Sequence, residues 1–108
     1  MKSSEKLCWV YMTAGSVEEA KSIGHILVGL NLAACVNLLE NMTSIYNWED
    51  KMEESQEVIM IAKTRKTLMP KLIKKVNSLH SYDCPCILEL PIQGGNPNFL
   101  SWIKSQTA

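Results

Sequence analysis

The segment His80-Ser81-Tyr82-Asp83-Cys84-Pro85-Cys86 gathers the side chains of this 108-residue chain best suited to chemistry. A neutral imidazole and thiolates are the donors that borderline and soft metal ions prefer, and an aspartate adds a hard oxygen. Only Pro85 separates Cys84 from Cys86, whereas zinc-binding cysteines usually have roughly two to four residues between them. A closed structural zinc centre is therefore not expected. The pattern predicts instead a weak or transient site for copper or zinc, with His80, Cys84 and Cys86 as ligands. The same residues also read as a plain connector from helix to strand, with Tyr82 buried and Pro85 fixing the entry to the strand.

No other stretch reads as catalytic machinery. The chain has no G-x-S-x-G elbow, no Gly-rich phosphate loop and no H-E-x-x-H helix. A cysteine nucleophile at Cys84 or Cys86 would stand beside Pro85, which supplies no amide to an oxyanion hole. Cys35 falls within an apolar strand, where a thiol stays protonated and inert. Cys8 behaves there as a small hydrophobe, and His25 reads as a surface residue of a helix. The expectation is a binding protein that turns over no substrate.

The loop must be carried by regular elements, and these are legible. A strand is predicted over Leu7–Thr13. Ser16 then caps a helix, with Glu19 completing a capping box, and Ala20, Ile23, Leu27 and Leu30 form one apolar stripe that Asn31 ends. A second strand runs from about Ala33 to Trp48 with a bend near Glu40-Asn41. It turns at Glu49-Asp50-Lys51-Met52 and returns over about Glu53–Thr64. A second helix begins near Thr67 with Pro70 in its first turn and buries Leu68, Leu72, Val76 and Leu79. A last strand, Cys86–Ile92, is broken off by Gly94-Gly95-Asn96-Pro97 before a short helix carrying Phe99, Leu100, Trp102 and Ile103. The order is βαββαβ plus a C-terminal helix. This is an α+β, ferredoxin-like sandwich with a long β-hairpin, one domain over residues 1–108.

Three chemistries found on this architecture lack their residues. An iron–sulfur ferredoxin needs a C-x₂-C-x₂-C run. A heavy-metal chaperone needs C-x-x-C after the first strand, where Thr13-Ala14-Gly15-Ser16 stands. An acylphosphatase needs an arginine in that loop, and the one arginine is Arg65. Net charge is zero, which argues against nucleic acid as a partner; Lys63, Lys66, Lys71, Lys74 and Lys75 read as a solvated face. No apolar run is long enough to span a bilayer and no signal peptide is seen, so a cytoplasmic protein with free thiols is expected.

The hairpin strands are apolar on both faces. Ala34, Val36 and Leu38 oppose Cys35 and Leu39, while Val58, Met60 and Ala62 oppose Ile59 and Ile61. Helices cover only one face of such a sheet, so the pattern predicts that another copy of the chain covers the second.

The chain resembles the CutA divalent-cation tolerance family. The resemblance rests on Leu32-Ala33-Ala34-Cys35-Val36-Asn37, Ser44-Ile45-Tyr46-Asn47-Trp48, Glu57 and Lys63-Thr64, in this order and spacing. It continues through His80-Ser81-Tyr82-Asp83-Cys84-Pro85 to Leu100-Ser101-Trp102-Ile103. It implies a homotrimer associated with tolerance of copper or zinc. Members that hold copper use a cysteine at the end of the first strand and paired histidines in the loop. The matching positions here are Met12, Leu79 and His80, so His80 carries over unchanged and Met12 offers a thioether. Asp50 stands where the family has glycine, which implies a hairpin turn of different geometry. Trimeric PII regulators share the architecture, and in that alternative Glu57, Lys63, Tyr82 and Trp48 line a cleft between subunits that takes a small molecule. A scaffold anchoring another protein is a further alternative.

Overall fold

The computed structural model describes residues 5–108; the polar start at residues 1–4 lies outside them. Four strands, β1 (Leu7–Ala14), β2 (Cys35–Trp48), β3 (Lys51–Arg65) and β4 (Ile87–Ile92), form one sheet in the order β2-β3-β1-β4. Every neighbouring pair is antiparallel, which leaves β1 and β2 parallel with β3 between them. That is the split arrangement predicted from the element order. Helices α1 (Val17–Gly29) and α2 (Met69–Leu79) follow β1 and β3, and α3 (Pro97–Gln106) ends the chain.

Period decides which face each residue takes. From β1, Cys8, Val10, Met12 and Ala14 point toward the helices, and from β3 so do Val58, Met60 and Ala62; all are buried against Ala20, Ile23 and Leu27 of α1 and Met69, Leu72 and Val76 of α2. Gly24 of α1 faces Val36 across this layer, where an added Cβ would make ordinary contact at 3.5 Å. Ser16 caps α1 by accepting the Glu19 N–H at 3.1 Å. The carboxylate of Glu19 does not close a capping box; it turns to the loop after α2, as described below. Asn31 takes φ 60°, and the bonds from Leu32 N–H to Leu27 O and from Asn31 N–H to Val28 O make it the left-handed stop of a Schellman motif. Pro91 sits in β4, an edge strand, where its missing donor is tolerated.

On the second face α3 packs through Ile103 and Leu100 against Leu7, Ala34 and Ile92. The rest of that face is open. Leu39 and Leu88 are each more than half exposed. The β2–β3 ribbon runs past the body of the sheet and draws the chain out to 53 × 25 × 23 Å. Its radius of gyration, 14.9 Å, exceeds the value of about 13 Å typical of a domain this long. On the ribbon Ile45 is 64 %, Trp48 59 % and Met52 76 % exposed. The expected bend is a β-bulge between Leu39 and Met42, with Asn41 at φ 63°. At the tip Glu49 and Asp50 take φ 51° and 67°, both left-handed, and Trp48 pairs with Lys51. That is a two-residue type I′ turn. The turn is therefore shorter than the four residues expected, and Asp50 adopts the left-handed conformation despite lacking glycine's freedom.

Candidate functional site

Glu57 faces the open side of β3, just beyond the bulge, paired with Met42. The Ser44 hydroxyl donates to its Oε1 at 2.5 Å, and the Tyr82 hydroxyl donates to its Oε2 at 2.8 Å. Strand β2 supplies one donor and the α2–β4 loop the other. Gly15, at the end of β1, makes room for the ring: a Cβ there would meet the Tyr82 hydroxyl at 3.2 Å. Tyr82 is thus partly exposed rather than buried. Its phenol pKa is pushed up to about 12, first by partial burial and then by its bond to Glu57 and that carboxylate's charge. The hydroxyl therefore remains a hydrogen-bond donor at neutral pH.

His80 holds the loop in place. Its buried ring donates from Nε2 to the Thr13 carbonyl at 2.7 Å, and its Nδ1 accepts the Tyr82 N–H at 3.1 Å. These two partners select the tautomer protonated at Nε2 and engage both ring nitrogens. The ring also packs on that of Tyr82, with centroids 4.6 Å apart. Glu19 reaches across from α1 and accepts the Ser81 N–H at 2.7 Å and the Ser81 hydroxyl at 3.1 Å. Partial burial pushes its carboxyl up, but the Ser81 bonds and the nearby imidazole outweigh that and leave it below the ordinary 4.5. A chain of contacts thus runs from Glu19 through Ser81 and His80 to Tyr82 and Glu57.

The remaining expected ligands lie elsewhere. Met12 is fully buried on the helical side of the sheet, packed in the core with Met60 and Val76. Cys84 is exposed in the loop, and Cys86 is half-buried at its end. The Cys86 thiol is pushed up by burial, then by the charges of Glu57 and Cys84. Among the described residues no three His, Cys, Asp or Glu side chains converge as a metal-holding group. The four expected ligands are therefore not gathered within one chain.

The proposed cleft residues divide in the same way. Glu57 and Tyr82 meet. Lys63 lies six residues further along β3, about 20 Å away at strand rise, where it bonds to Asn37 Oδ1. Trp48 stands at the ribbon tip. Sequence reasoning missed Ser44, Glu19 and Gly15 as parts of this site. The pairing of Ser44 with Glu57 depends on the register after the bulge, and the reach of Glu19 depends on where α1 packs; neither leaves a local signal.

A family model described as CutA1 divalent ion tolerance protein matches residues 8–106. The chain belongs to this family. The divalent-cation tolerance protein CutA of Thermus thermophilus is 42 % identical over 98 residues, covering 91 % of this chain and 95 % of that one. The chloroplastic CutA protein of Arabidopsis thaliana is 40 % identical, but its match covers 54 % of that protein; the chain spans about half the length of such plant and animal CutA relatives. Its fold superposes on the crystal structure of CutA1 from Oryza sativa with a TM-score of 0.95 at 36 % identity, covering 97 % of this chain and 96 % of that one.

Proposed function

We propose that this CutA protein works as a homotrimer that binds without turning over a substrate, in the cellular response to copper or zinc. The observation that carries the assembly is the open sheet face with its exposed ribbon. Leu39, Ile45, Met52 and Leu88 are 51–76 % exposed, and covering them removes apolar surface from water at about 25 cal/mol per Å². Three copies follow from the family, since the exposed surface alone does not set the number. A binding role is supported by Tyr82 holding its proton, by His80 having both nitrogens engaged, and by the raised thiols of Cys8 and Cys86. Copper or zinc would be held transiently by Cys84 and Cys86, the two unbridged thiols of the loop. The four cysteines are unbridged, which suits a reducing cytoplasm.

Sedimentation equilibrium at micromolar concentration is expected to give three times the 12.1 kDa chain mass. A stable monomer there would overturn the assembly. Titration of the purified protein with cuprous ion is expected to show binding that weakens as pH falls, because thiols must lose protons to bind.

A further inference from the structure

We infer that the groove between the C-terminal end of α1 and the outer side of α2 binds an acidic, amphipathic peptide segment of a partner protein. The inference rests neither on the metal reading nor on the assembly proposed above. Leu30, Leu32 and Leu68 give the groove its apolar part, and Lys71, Lys74 and Lys75 line it from α2, around a volume of about 570 Å³. Pockets that hold ligands run from roughly 300 to 1,000 Å³.

Two independent observations describe the occupant. The first is Leu30. Its place in the α1 repeat suits the core, yet it caps the helix and is 52 % exposed at the groove. An apolar side chain from a partner would take that surface out of water. The second is charge. Lys71, Lys74 and Lys75 stand three and four residues apart on one helix face, where like charges repel. Among the described residues the ion pairs engage Arg65, Lys66 and His80, and none reaches these three lysines. No acidic residue stands between Glu57 and Asp83 in the sequence, so the nearby chain brings no carboxylate to α2. A partner's carboxylates would relieve the repulsion.

A bilayer and a nucleic acid fit less well. The apolar stripe of α2, Met69, Leu72 and Val76, is spent in the core, which leaves no such face to enter a membrane. Among the described residues no aromatic side chain lines the groove, so bases have nothing to stack on. A peptide that lays leucines on Leu30 and Leu32 and turns glutamates toward the lysines satisfies both observations, in the helix-in-groove mode. Helices α1 and α2 lie across the sheet from Leu39 and Leu88, so the groove stays accessible when that second face is covered.

The test is fluorescence anisotropy of a labelled helical peptide with leucine on one face and glutamate on the other, titrated with the full chain at an ionic strength of about 0.15 M, where the Debye length is about 8 Å. Saturable binding is expected. Replacing the peptide's glutamates by glutamine, or its leucines by serine, should each weaken it at least about tenfold. In the protein, the combined variant Lys71→Gln, Lys74→Gln, Lys75→Gln and the single variant Leu30→Ser should each do the same, while Lys51→Gln at the ribbon tip leaves binding unchanged. Circular dichroism and sedimentation should match the parent for every variant, so a failed trimer would be seen separately from a failed groove. Absence of binding, equal binding of either altered peptide, unchanged affinity in either groove variant, or an equal loss in Lys51→Gln would overturn the inference. So would phosphatidylserine vesicles that capture the protein and displace the peptide.

Discussion

At the scale of single residues, the site is a set of hydrogen bonds whose charges can be read by titration. Replacing Glu57 with glutamine removes a negative charge beside the Tyr82 phenol. The phenol should then ionise below about 12, though still above an ordinary tyrosine because burial persists. Tyrosinate absorbance followed against pH checks this; a curve that does not move would show that Glu57 has no hold on Tyr82. Glu19 gives a second reading. Its folded-state pKa is lowered, so its contribution to stability is present above 4.5 and is lost as pH falls through the folded value. Urea midpoints measured between pH 6 and pH 2 should drop less steeply for Glu19→Gln than for the parent. The sequence pointed to His80 and Tyr82 as important because of their types, but it read His80 as a ligand. A histidine's role is set by what its two nitrogens touch, and both partners, Thr13 O and Tyr82 N–H, come from backbone that folding brings near. Only the second is close in sequence.

At the scale of elements, the hairpin carries the clearest local strain. Glu49 and Asp50 both sit at positive φ, where a non-glycine residue costs roughly 1–2 kcal/mol. Asp50→Gly should therefore raise stability by about 1 kcal/mol. A higher urea midpoint with an unchanged slope, at fixed chain concentration, is the expected result; a lower one would mean that Asp50 has a contact that glycine cannot replace. Most elements were legible because their periods are clean. The α2 stripe, the Asn31 stop and the Glu40-Asn41 bend stand where the pattern put them, and so do Ala20, Ile23 and Leu27 of the α1 stripe, but Leu30 caps the helix end and is 52 % exposed. The turn was less clear, because Lys51 and Met52 look like loop residues by composition yet continue the β3 ladder. The tight turn allows this: two left-handed residues reverse the chain without spending more.

At the scale of the whole molecule, one face is finished and the other is not. Leu39→Asp or Leu88→Asp would place a charge where the apolar surface awaits cover, and desolvating it costs several kcal/mol. Either change should lower the sedimenting mass toward 12.1 kDa while far-ultraviolet circular dichroism keeps its folded form; an unaltered mass would place these residues outside the contact. The two-faced apolar pattern made this incompleteness visible in the sequence, whereas the direction of the ribbon became visible only with its bulge and register. That ribbon has a further consequence. From Ser44 to Ser55 the strands pair residue against residue with no bulge, and the side-chain bond between Tyr46 and Ser55 stays within the ribbon. The ribbon is thus a ruler graduated in steps of two. Removing two residues from each arm shortens its reach by about 7 Å and keeps every remaining side chain on its face, whereas removing one from each arm turns the tip over. Relatives and variants should tolerate even changes of arm length and reject odd ones.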